Sequence, residues 1–268
     1  MSDLSAEAIQ RALPAQVVGR AVEYYPQLGS TNDLLRQRAR AGQPEGLLIV
    51  ADEQVAGRGR LGRGWVAPPG SSLLLSLLLR PGWLAPADAF AITMLAGVAL
   101  CEAIEQAVPL RAALKWPNDL LLPVGGAQHK AAGVLSEIEL RDGAIDWVVL
   151  GMGVNVNWAP RGVVDGRDLG VLATSVGAAL GRPADRLALL RALLSRLDAR
   201  YLALRQGQRA ALFADWRARL ATLGQPVQVR LPRGELSGVA EDVEPTGALR
   251  VRDAAGALHV VLAGDVGG

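Results

Sequence analysis

Ala51-Asp52-Glu53-Gln54-Val55-Ala56-Gly57-Arg58-Gly59-Arg60-Leu61-Gly62-Arg63-Gly64-Trp65 is the stretch on which the reading of this 268-residue chain turns. An apolar run, Leu47 to Val50, feeds it and reads as a short buried strand. A second strand-like run, Ser72 to Leu79, leaves it. Between them, glycines at 57, 59, 62 and 64 free the backbone and leave its N–H donors accessible. Arg58, Arg60 and Arg63 carry planar guanidinium forks that suit a carboxylate or a phosphate. Trp65 offers a flat apolar face on which a base-like ring could stack. The loop therefore suits a small anion, one carrying a nucleotide above all. A solvated Arg/Gly surface loop and an RNA-binding Arg-Gly segment fit the same residues, since a short Gly-rich match is weak by itself.

Composition narrows the field. Half the residues are hydrophobic, enough for a sizeable core, and the length suits one large domain or one with a small appendage. The formal net charge of +2 argues against nucleic acid as the main partner. The lone Cys101 lies in an apolar helical pattern and reads as a buried thiol. No basic-then-apolar leader opens the chain, and runs such as Leu73 to Leu79 are too short to span a bilayer, which needs about 20 residues. A soluble cytoplasmic protein is the expectation. Of the 28 basic residues, only Lys115 and Lys130 are lysine, which marks them as places where a compact ammonium is needed. The four asparagines, at 32, 118, 155 and 157, all fall in stretches that look like a site.

Working outward on the N-terminal side, residues 4 to 13 have a weak helical pattern ended by Pro14, and residues 20 to 28 read as a strand. Ser30-Thr31-Asn32 precedes a helical run from Asp33 to Ala41, where a hydroxyl caps the helix and free N–H groups can hold a polar ligand. The 29 residues before Ser30 are roughly half of what a helix-turn-helix domain needs, so no DNA-binding role is expected.

On the C-terminal side, Pro86 opens a long packing helix to about Val108. Lys115-Trp116-Pro117-Asn118-Asp119 then reads as strand, kink and strand. Its polar groups are costly to bury unless they bind something, so Asp119 is expected to hold a cation such as Mg²⁺ or to pair with Lys115. Lys130 to Leu140 and Ile145 to Val156 form a hairpin turned by Asp142-Gly143. Small residues at 131–133, 151 and 153 would let a ligand or another backbone come close. His129 reads as an incidental surface histidine. Two histidines and one cysteine make a zinc site unlooked for, and no nucleophile triad or P-loop is present. Residues 173–223 read as helices. After Gly224-Gln225-Pro226 come four or five short alternating strands, which make a small barrel too slight to stand alone.

Five motifs follow one another in order: Ser30-Thr31-Asn32; Asp52-Glu53-Gln54 with Gly57 to Trp65; Lys115 to Asp119; Lys130-Ala131-Ala132-Gly133-Val134-Leu135; and Gly151-Met152-Gly153-Val154-Asn155-Val156-Asn157. Together they resemble the bacterial biotin–protein ligases, from about residue 26 to the C-terminus. The resemblance implies an α+β fold: a mixed sheet flanked by helices, of the class II synthetase kind, with a small C-terminal SH3-like barrel. It divides the chain into a short extension (1–25), a biotin- and ATP-binding catalytic domain (26–223) and the SH3-like domain (224–268). It implies that biotin and MgATP give biotinyl-5′-AMP, from which biotin passes to a lysine of a biotin carboxyl carrier protein. By the same resemblance Ser30, Thr31, Asn32 and Gln54 hold the biotin head group. Arg58, Gly59 and Arg60 wrap the carboxylate and phosphate, and Lys130 contacts both. Trp65 covers adenine, while Arg63, Lys115, Asn118, Asp119 and Asn155 lie on the nucleotide side, Asp119 with Mg²⁺. Arg58, Arg60 and Lys130 are the expected catalytic residues. The absent DNA-binding domain points to the monofunctional class, and many relatives pair through the sheet edge as homodimers. Two departures stand out: Ala127-Gln128-His129 replaces a small-and-basic lead-in, and Ala131-Ala132 replaces a bulkier pair.

The rival enzyme reading is a lipoate or octanoate ligase on a related scaffold, which the Arg-Gly-Arg loop and the Lys-Trp-Pro-Asn-Asp stretch disfavour. The rival of another class is an Arg/Gly nucleic-acid-binding module, disfavoured by the low net charge.

Overall fold

The protein is described by a computed structural model, which covers residues 4–11, 16–164, 167–231, 234–262 and 264–267. The expected helix end at Pro14 and the turn residues Pro232 and Arg233 lie outside the described residues.

Seven strands build the central sheet: β1 (Ala21–Tyr25), β2 (Leu47–Ala51), β3 (Ser72–Leu79), β4 (Ala113–Lys115), β5 (Asp119–Val124), β6 (Ala127–Arg141) and β7 (Ala144–Asn155). Their order is β1-β2-β3-β7-β6-β5-β4. Only β1 and β2 run parallel, so the sheet is mixed. Helix α1 (Ala6–Gln10) precedes it, and α2 (Thr31–Arg40) links β1 to β2. Helix α3 (Phe90–Ala107) follows β3. A small two-stranded unit, β8 (Val163–Val164) with β9 (Arg167–Asp168), leads to α4 (Leu169–Leu172), α5 (Val176–Leu180), α6 (Arg186–Arg205) and α7 (Arg209–Ala218).

Strand alternation explains how both faces are filled. On β3, Leu73, Leu75, Leu77 and Leu79 enter the large core with α3 and α6, while Leu78 joins a smaller core under α2. On β7, Val148, Leu150, Met152 and Val154 take the large core, and Trp147 and Val149 face α2. A period of two therefore carries Gly151, Gly153 and Asn155 onto the α2 face. The same count puts Ser76 there from β3, and Gly133, Leu135 and Glu137 from β6. Both faces of β3 are covered, which is why its whole sequence is apolar but for two buried serines. Helix α3 is apolar enough to cross a membrane by composition, but nearly every residue from Ala91 to Ile104 is buried in this core.

The N-terminal stretch departs from the expected 1–25 extension. Leu4, Ile9, Val17 and Val18 are core residues, and β1 is the parallel edge of the sheet. Buried Asp198 on α6 accepts the backbone N–H groups of Gln16, Val17 and Val18 at 2.8–2.9 Å, fastening this stretch to the catalytic domain.

The C-terminal sheet holds β10 (Pro226–Arg230), β11 (Glu235–Val243), β12 (Leu249–Arg252), β13 (Leu258–Val261) and β14 (Asp265–Gly267) in the order β13-β12-β11-β10-β14, all antiparallel. Val227 and Val229 point inward and Gln228 and Arg230 outward, the expected alternation. The sheet docks on the catalytic domain: Trp116 Nε1 donates to Gly247 O at 2.8 Å, and Arg217 Nε to Asp242 Oδ1 at 2.6 Å.

Candidate active site

The site lies on the α2 face of the sheet, where β3, β7 and β6 present small residues in register. One row runs Ser76, Gly151, Leu135; the next runs Leu74, Gly153, Gly133. These rows are about 7 Å apart along the strands.

The Gly151 row carries a cluster of buried polar side chains. Ser30 caps α2, its hydroxyl accepting from the Asp33 N–H. Gln54 Oε1 accepts from the Thr31 N–H at 2.7 Å and from Thr31 Oγ1 at 2.9 Å. Ser76 Oγ lies 2.7 Å from Thr31 Oγ1 and 2.5 Å from Asn32 Oδ1. With Oδ1 thus occupied, the Asn32 amide turns its Nδ2 to Glu137 Oε2 at 2.7 Å. Ser30, Thr31, Asn32 and Ser76 are all buried. Thr31, Asn32 and Gln54 are thus brought together beside Ser30; Ser76 and Glu137 had no sequence signal beyond their place in strands.

The Gly153 row carries Trp65 and Lys130. A Cβ on Gly153 would stand 2.4 Å from Trp65 Cε2, and one on Gly133 would stand 3.3 Å from Trp65 Cζ3. A Cβ on Gly151 would meet Asn32 Oδ1 at 2.1 Å. The glycines are thus needed for the close approach of the chain's own Asn32 and Trp65, not for a second backbone. Lys130 Nζ sits 2.6 Å from Asp119 Oδ1 and 5.7 Å from the Trp65 ring centroid. Asp119 therefore pairs with Lys130; Lys115 is its register partner across β4 and β5. Among the described residues no three His, Cys, Asp or Glu side chains gather as a metal cage. A lone Asp119 fits a Mg²⁺ that arrives on nucleotide phosphates, which typically takes one or two protein carboxylates.

The Arg/Gly loop is a small hairpin. Trp65 N donates to Gly57 O and Gly59 N to Arg63 O, around a 3₁₀ turn at Arg60–Gly62. Within it Arg63 Nε reaches Arg60 O at 3.2 Å. Arg60 spans two domains, donating to Asn118 Oδ1 and to Gly264 O, each at 3.1 Å. Asn118 Nδ2 in turn donates to Val134 O at 2.7 Å. Arg58 differs from the expected anion wrap: its Nη2 is shared between Glu137 and Asp33 at 2.8–3.0 Å. Asn155 is buried and donates to Thr174 O at 3.0 Å, so its amide N–H fixes the segment after α4. Thr174 N donates to Lys130 O, which ties that segment to the lysine strand. His129 Nδ1 lies 2.7 Å from the Val171 carbonyl oxygen.

Comparisons with known proteins show the family and the fold. The family model for the biotin/lipoate A/B protein ligase family matches residues 24–155, and that for the biotin protein ligase C-terminal domain matches 222–266. A biotin–[acetyl-CoA-carboxylase] ligase of Mycobacterium tuberculosis is 37% identical over 96% of this chain and 94% of its own length. A bifunctional ligase/repressor BirA of Bacillus subtilis is 32% identical over 92% of this chain and 74% of its own. Among solved structures, a biotin protein ligase from Aquifex aeolicus in complex with biotin and ATP has the same fold, with a TM-score of 0.75 at 24% identity, covering 92% of this chain and 98% of that one. The chain belongs to the biotin/lipoate A/B protein ligase family, with a biotin protein ligase C-terminal domain.

Proposed function

We propose that the protein is an ATP-dependent biotin–protein ligase, which makes biotinyl-5′-AMP from biotin and MgATP and transfers biotin to a lysine of a biotin carboxyl carrier protein in the cytoplasm. The observation that carries this reading is the pairing of a neutral hydrogen-bonding pocket with a cationic end on one small-residue floor. A ligand matching it has an uncharged polar head, an apolar chain and a carboxylate. Biotin has all three. Lipoate and octanoate lack the polar head that Thr31, Asn32 and Ser76 would recognise.

In this reading Ser30, Thr31, Asn32 and Gln54 hold the ureido head, and the chain crosses the glycine rows to Lys130. Adenylation brings a carboxylate up to a polyphosphate, and the two repel. Lys130 and Arg60 offset that charge and stabilise it as it moves onto the leaving pyrophosphate. MgATP enters as substrate, with Asp119, Asn118 and Arg63 on its side and Trp65 against the nucleotide. Gly59 leaves its N–H near the reacting groups, and Asn155 and Lys115 frame the nucleotide end. The loop excludes water, which protects the mixed anhydride until the acceptor amine attacks its carbonyl carbon and AMP departs. The outer half of β6 runs past its last β5 pairing at Gly133 to exposed Ile138 and Leu140, an edge that suits pairing of two copies.

The test is pyrophosphate–ATP exchange with biotin, lipoate, octanoate or no acid. Exchange with biotin alone is expected. Exchange that prefers lipoate would move the substrate; none with any acid, in a folded sample, would overturn the adenylation reading.

A further inference from the structure

Two arginines and two carboxylates close a ring of alternating charge beside the polar pocket. Arg36 pairs with Asp33 at 2.6 Å and with Glu137 at 3.2 Å. Arg58 pairs with the same Asp33 at 2.8 Å and the same Glu137 at 2.9 Å. Glu137 is the most shielded member, with 20% of its side chain exposed, and it also accepts from Asn32 Nδ2. One carboxylate on β6 thus holds the first turn of α2, an amide of the polar pocket and the root of the Arg/Gly loop. The ring is neutral, so Arg58 has two charge partners of its own and has little field left for a substrate anion. Lys130 stands beside Gly133 on the other row and pairs with Asp119, and Arg60 donates to Asn118.

We infer that Glu137 is a positioning residue: it clamps Arg58, and through Arg58 the loop, over the head-group pocket, so that Arg58 anchors the loop and does not bind the carboxylate. The inference rests on the biotin-ligase reading for its kinetic arm only. Loss of such a clamp raises the cost of ordering the loop when the acid binds. It therefore acts on KM for the acid, while the chemistry at Lys130 is left in place.

The test compares wild type, Glu137→Gln, Arg58→Met and the double variant in the full chain. Glu137→Gln keeps the shape but removes the charge shared by three donors. It is expected to speed trypsin cleavage after Arg60 and Arg63 in the unliganded protein about tenfold, the fold-change of a network worth roughly two surface pairs. In pyrophosphate exchange, KM for biotin should rise about tenfold, with kcat within about threefold. Arg58→Met should behave alike, and the double variant should match the single ones, because both remove one interaction. Unchanged loop cleavage in a folded Glu137→Gln protein would overturn the inference. So would multiplying effects in the double variant, or an Arg58→Met variant whose kcat falls about a hundredfold while Glu137→Gln keeps its own. Cleavage is read without substrate, so it decides the clamp even if the wild type fails to exchange with biotin, a result that would sink the functional reading instead.

Discussion

Lys130 Nζ stands 2.6 Å from Asp119 Oδ1, beneath the face of Trp65 and beside the Gly133 floor. The ammonium is compact enough to sit between a carboxylate and an indole; a guanidinium is wider and planar. Lys130→Arg is therefore expected to cut kcat/KM for adenylation by about a hundredfold or more, the scale of removing one charge-stabilising group. Asp119→Asn keeps the shape and loses the charge, so it should weaken MgATP more than biotin. Steady-state exchange kinetics check both. A Lys130→Arg enzyme with ordinary turnover would refute the need for a compact cation.

The glycine rows make a second prediction, because each has a different neighbour. Gly151→Ala would drive a methyl into the Asn32 amide, and Gly153→Ala into the Trp65 ring. Neither faces the large core, so both proteins should melt within a few degrees of wild type. Gly151→Ala should raise KM for biotin by disturbing the Asn32–Ser76 contact. Gly153→Ala should shift Trp65, whose buried indole Nε1 has no acceptor among the described residues, and change its fluorescence. Equal effects of the two substitutions on biotin and ATP would argue against two separate subsites. Calorimetry and substrate-by-substrate KM values decide it.

Cys101 lies within α3 in the core, and burial pushes its thiol up to about 12. The thiolate is the reactive form, so an aromatic disulfide reagent at pH 8 should leave the folded protein unlabelled and label it fully in denaturant. The folded state keeps its proton above the ordinary thiol value of 9.0, where the unfolded chain gives it up. That contribution to stability is whole below pH 9 and is lost as pH rises toward 12. A denaturation midpoint flat across that range in wild type, or falling equally in Cys101→Ala, would contradict it.

Much of this site was legible because strands alternate. Gly151-x-Gly153-x-Asn155 and Gly133 could only share a face once β6 and β7 were strands, and the Asp142-Gly143 turn set their register. The hydroxyl before α2 was legible as a cap. What stayed hidden depends on pairs far apart in sequence. Glu137 is 79 residues from Arg58, and an acidic residue in a strand carries no sign of a distant arginine. Asn118 and Asp119 were visible as costly polar groups, but not their partners, since Arg60 and Lys130 come from other elements. The edge strand Ala21–Tyr25 has no apolar alternation and is half-buried throughout, so its place in the sheet was not apparent.

Another hidden pair makes the last prediction. Arg186, at the start of α6, donates to Asp52 Oδ1 at 2.7 Å, and Tyr24 donates to Asp52 Oδ2 at 2.8 Å. Arg186 is 2% exposed, and Asp52 lies two residues before Gln54. Both charges are out of water, so removing one member of the pair costs about 3–5 kcal/mol. Arg186→Met should therefore lower the melting temperature by about 10 °C, at roughly 2–4 °C per kcal/mol for a chain of this size. Arg186→Met with Asp52→Leu removes both charges and should regain part of that loss, since a buried pair replaced by apolar groups is often neutral. Activity separates fold from site: below its own melting range Arg186→Met should bind biotin with nearly wild-type KM, because Thr31 fixes Gln54 independently of Asp52. A stable Arg186→Met protein would show that the pair contributes little. A stable one with a raised KM for biotin would place Asp52 in the head-group pocket itself.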